Sequence, residues 1–91
     1  MATFTIILDF KGGTYISQVK ARNPQQACLK WAAQIKPVEI ADLGAIGKTQ
    51  LQESLVEDTP VLLSGLTNVW CCSARTRNSL ALINIVKTQL E

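Results

Sequence analysis

Residues 3–10 alternate so regularly that every side chain is assigned a side. Phe4, Ile6, Leu8 and Phe10 fall on one, and Thr3, Thr5, Ile7 and Asp9 on the other. A period of two with β-branched and aromatic residues is the pattern of a strand. Gly12-Gly13 follows, and two residues tolerant of positive φ are what a two-residue hairpin turn requires. Residues 14–21 then read as the returning strand.

Beyond the hairpin the period changes. Asn23 is a favoured helix N-cap, and Pro24 suits the first helical position, where its missing N–H would be unpaired anyway. Over residues 24–36, Ala27, Cys28, Trp31, Ala32 and Ile35 recur at three- and four-residue spacing. This is an amphipathic helix anchored by Trp31, and Pro37 ends it. In residues 38–58, Gly44 and Gly47 break any long element. Thr49 with Gln52 resembles a capping box, which predicts a short helix over residues 50–57, with an irregular crossover as the alternative.

After Pro60 the pattern returns to strand. Val61-Leu62-Leu63 is a short apolar run, residues 69–75 read as a strand, residues 76–79 as a polar turn and residues 80–88 as a last strand. Leu80, Ile83 and Val86 also keep a helical spacing, but the concentration of β-branched residues favours strand. The order is β-β-α-(α)-β-β. It predicts one α+β domain over residues 1–91, with a four- to five-stranded antiparallel sheet and helices on one face.

Composition narrows the function classes. With 47% hydrophobic and 18% charged residues, the chain is too apolar to be disordered. A net charge of +2 argues against a dedicated nucleic-acid binder. No run approaches the roughly 18 apolar residues of a membrane helix. The apolar start of the chain is short and interrupted by Asp9, unlike a secretory signal. Cys28, Cys71 and Cys72 are odd in number and two are adjacent, so they read as free thiols of a reducing, cytoplasmic compartment.

Three stretches carry a resemblance: Gly12-Gly13-Thr14-Tyr15-Ile16-Ser17-Gln18, Leu66-Thr67-Asn68-Val69-Trp70-Cys71 and Leu80-Ala81-Leu82-Ile83-Asn84-Ile85-Val86-Lys87-Thr88. Together they resemble a family of small bacterial proteins without assigned activity, some of the kind carried on mobile gene cassettes. The resemblance implies a bacterial, stand-alone domain. The first half is also similar to the strand-turn-strand-helix of HicB-type antitoxins, without the acidic and proline-glycine signals expected after that hairpin.

Catalytic and metal chemistry find little support. Gly44-Ala45-Ile46-Gly47-Lys48-Thr49 invites comparison with a phosphate-binding loop, but the first glycine of that pattern falls on Asp42. The chain has no histidine, which removes Ser-His and Cys-His nucleophiles and common zinc sites. Cys71 and Cys72 are neighbours on a strand and face opposite ways. The acids show no spacing that pairs them. We therefore expect no enzyme, no cofactor and no metal.

Arg75 and Arg77 flank a turn, and with Lys87 they suggest a small basic patch. Both sheet faces read as apolar, yet helices can cover only one. The expectation is a homodimeric interaction module whose open face carries Trp70 and Cys72, with Trp31 filling the helix side. The alternative is a small apolar or aromatic ligand held between helix and sheet, with Asn84 and Gln18 as polar contacts. The candidate surface residues are thus Trp70, Cys72, Arg75, Arg77 and Asn84.

Overall fold

The computed structural model describes residues 1–77 and 79–89. Its elements are β1 (Ala2–Phe10), β2 (Gly13–Ala21), α1 (Pro24–Gln34), a 3-10 turn (Pro37–Glu39), α2 (Gly44–Glu57), β3 (Val61–Leu62), β4 (Val69–Arg75) and β5 (Leu80–Gln89). The strands form one sheet in the order β2-β1-β5-β4-β3, and each neighbouring pair is antiparallel. This is the α+β architecture expected from the sequence. Asn78, in the turn expected over residues 76–79, lies outside the described residues.

The first hairpin closes one residue earlier than its glycines suggest. Phe10 pairs with Gly13, so the turn is Lys11-Gly12, with φ of 47° and 80°. Two consecutive positive φ values give the primed turn that matches strand twist. Gly13 is instead the first residue of β2. A Cβ there would stand 2.7 Å from the Tyr15 hydroxyl, so a larger residue would have to move the tyrosine ring.

Register determines which side chains meet. Phe4, Ile6, Leu8 and Phe10 are all buried, as are Ala81, Ile83 and Ile85 of β5 and Ala74 of β4. They form one core with Ala27, Cys28, Trp31 and Ala32 of α1 and with Leu51 and Leu55 of α2. The Asn23 side chain caps α1, accepting from the Gln26 N–H at 2.7 Å.

The second helix starts at Gly44 rather than near residue 50. Thr49 is inside it, its hydroxyl donating to the Ala45 carbonyl, so Thr49 and Gln52 form no capping box. Gly47 is buried one turn in, and a Cβ there would come within 2.8 Å of Leu43 Cδ1. The glycine that reads as a breaker is a close-packing site between the helix and the chain entering it.

The two sheet edges differ. β2 runs nine residues in unbroken register with β1, and between Lys11 and Lys20 it carries neither a charge nor a proline. With Phe10 and Gly13 as a hydrogen-bonded pair, alternation turns the backbone N–H and C=O of Thr14, Ile16 and Gln18 away from β1. The opposite edge is β3, two residues long. Past it, the outward N–H of Arg75 on β4 is capped by the Ser54 hydroxyl at 3.1 Å.

Candidate functional site

Pairing sorts the remaining strand residues onto the face away from α1 and α2. Across its centre run Ile16, Ile7, Asn84, Cys71 and Val61, joined in register from β2 to β3. Val86 and Val69 flank this row on one side, and Leu82 flanks it on the other, with Leu80 beyond. Ile16 is 67% exposed and Leu82 49%, while Ile7, Val69, Cys71 and Val86 are half-buried by their neighbours.

Polar groups frame this apolar centre. At one end Gln18 Nε2 donates to Thr5 Oγ1, and Thr5 Oγ1 donates to Thr88 Oγ1. At the other, Thr14 Oγ1 donates to Asp9 Oδ1 at 2.8 Å. Among the described residues, the charges on this face, Asp9, Lys20 and Arg75, sit at its ends and leave the middle neutral.

The candidate residues do not converge. Asn84 occupies the middle of the open face, and Arg75 its far end. Arg77 lies beyond the sheet, its N–H bound to Gln50 Oε1. Lys87 is seven residues from the Arg75 partner Leu80, about 23 Å along the strand, so no basic patch forms. The Lys48 ammonium of the glycine-rich stretch donates to the Ala33 carbonyl at 3.0 Å.

Trp70 and Cys72 face the helices, contrary to expectation. Trp70 pairs with Ile85 and Cys72 with Ile83, and both partners are buried. The Trp70 ring packs against Phe4, with centroids 6.0 Å apart and planes inclined at 57°. Trp31 alone does not fill the layer, because α1 presents Ala27, Cys28 and Ala32 around it and leaves room above β4.

That room brings two thiols together. Cys28 Sγ of α1 lies 3.6 Å from Cys72 Sγ of β4. Cys28 is fully buried, whereas Cys72 is half-buried. The two sulfurs are within hydrogen-bonding reach, and either can be the donor. The Cys28 thiol is pushed far above its ordinary range by this bond and then by burial. Cys72 is held below its ordinary value by the same bond, against the opposing effects of burial and the Asp58 carboxylate.

Two clefts open at the rims of the helix–sheet layer. One, about 500 Å³, lies along β2, where Tyr15, Val19, Trp31, Ile35 and Ile40 meet Gln18. The other, about 640 Å³, lies along β4 past the end of β3, between Glu57, Asp58, Thr59 and Cys72. Asn84 reaches the second cleft rather than the first, so the two polar contacts expected for one ligand serve separate places. Among the described residues no helix is long and apolar enough to cross a membrane. No family model, curated protein or solved structure matches this chain.

Proposed function

We propose that the protein is a non-enzymatic interaction module that works as a homodimer, joined through the open face of its sheet. The observation that carries this reading is the neutral apolar field of Ile7, Ile16, Val61, Val69, Leu82 and Val86 on the face that α1 and α2 leave bare. An apolar patch rimmed by polar groups is the usual mark of a protein contact. Four strands, each taking up about 4.8 Å of sheet width and contributing about seven residues, cover roughly 440 Å² in projection, and the two-residue β3 adds little. Side-chain relief enlarges the accessible area toward the roughly 600–800 Å² that each partner gives to a small specific interface. A second copy suits this field because no charge lies at its centre to meet its like.

Sedimentation velocity tests the reading. At tens of micromolar the wild-type protein is expected to run as a dimer, and Leu82→Arg as a folded monomer. Arginine at that position has Asp9 as its cross-strand neighbour, so the sheet retains a favourable pair. A monomeric wild-type protein would remove the proposal.

The cleft along β2 favours a second reading, binding of a small aromatic molecule over Trp31, Ile35 and Ile40. Titration with anilinonaphthalene sulfonate is expected to show saturable one-site binding that Ile40→Ala weakens several-fold. Absence of saturable binding to the folded protein would exclude this reading.

A further inference from the structure

We infer that Cys28 and Cys72 are an oxidisable dithiol that closes to a disulfide and ties α1 to β4. Three independent features place the reaction here. The sulfurs are 3.6 Å apart, so forming an S–S bond of about 2.05 Å needs an approach of roughly 1.5 Å. The two residues lie on different elements, 44 positions apart, so the bond would cross-link the helix layer to the sheet. Cys72, like Cys71, lines the cleft along β4, which gives a small oxidant a route to the Cys72 side of the pair while Cys28 stays buried.

The oxidant class is a hydroperoxide, hydrogen peroxide being the simplest. The Cys72 thiolate, favoured by the Cys28 hydrogen bond, attacks the peroxide oxygen. The O–O bond breaks, Cys72 becomes a sulfenic acid, and the departing hydroxide is protonated to water. The Cys28 sulfur then attacks the sulfenic sulfur, and its proton leaves with the displaced hydroxide as a second water. Two thiols lose two electrons to one peroxide, and one disulfide and two waters form. Cys71 takes no part, because it points to the opposite face beside Asn84.

The experiment uses the full chain carrying Cys71→Ser, which leaves only the pair. After brief exposure to a small excess of hydrogen peroxide, alkylation in denaturant is expected to find no free thiol. The intact mass should fall by two hydrogens, and the peptides holding Cys28 and Cys72 should be joined until reduced. The melting temperature should rise by several degrees on oxidation and return on reduction. In Cys28→Ser the same treatment should stop at Cys72 sulfenic acid, trapped by dimedone. In the wild-type protein, Cys71 should remain alkylatable. Unchanged thiols, a disulfide between two chains or a Cys71–Cys72 bridge in the wild type would each overturn the inference. The pair lies on the helix side of the sheet, but the cleft that reaches Cys72 is also lined by Val61 and Leu82 of the open face, so the oxidation is repeated on Leu82→Arg, where the same bond is expected.

Discussion

Trp31→Ala is expected to leave much of the protein unfolded at 37 °C. Trp31 is 3% exposed and belongs to the single core shared by the sheet, α1 and α2. Truncating a buried aromatic costs about 3–5 kcal/mol, the lost transfer free energy plus the cavity left behind. A domain of this length is stable by only about 5–10 kcal/mol. The residues around Trp31 on α1 are alanine and cysteine, which cannot reach inward to fill the space. A urea titration should show the midpoint falling by a third or more with an unchanged slope. An unchanged midpoint would mean that α1 does not pack as described.

Trp70→Ala is expected to cost about 2–4 kcal/mol, less than Trp31, because Trp70 is half-buried at the β4 side of the layer. Part of this is the tilted contact with Phe4, since such ring pairs add about 0.5–1.5 kcal/mol beyond area burial. The variant should lose stability while its folded fraction keeps the wild-type sedimentation. A Trp70→Ala protein of unaltered stability that sediments as a monomer would place the ring on the open face instead. Paired with Leu82→Arg, the variant separates residues that hold the layer together from residues that hold copies together.

The contrast between these tryptophans shows how far side-chain pattern carries. On β1, Phe4, Ile6, Leu8 and Phe10 oppose Thr3, Thr5 and Asp9, so a one-residue slip would bury polar groups, and the face could be read directly. On β4, Trp70 and Cys72 oppose Val69 and Cys71. Both sets are apolar, so local pattern leaves the parity open, and only pairing with Ile85 and Ile83 decides it. The early start of α2 was hidden for another reason. Leu43 supplies no side-chain cap, and the close approach of Gly47 to the Leu43 side chain is something no local propensity records.

The candidate site was legible to the same uneven degree. An open apolar face follows from counting helices against sheet faces, and Asn84 does lie on it. The Cys28–Cys72 pair follows from nothing local, because it depends on the tilt of α1 across strands that are distant in sequence. Arg75, Arg77 and Lys87 are close in the chain as written, but a strand extends them rather than gathering them.

The unequal sheet edges bear on how large any strand-to-strand assembly can grow. β2 offers three successive outward N–H and C=O pairs without the lysine, proline or bulge that ordinarily discourages pairing. The other edge ends in a two-residue strand and a capped N–H. If two molecules met β2 to β2, antiparallel about Ile16, the contact would be isologous and would consume both receptive edges. The ten strands would then present only blunt ends. Fibre growth needs a receptive edge to survive each addition, and here none would. The polarity of the sheet would act as a chain terminator, limiting edge pairing to two molecules and leaving the neutral faces of both on the same side.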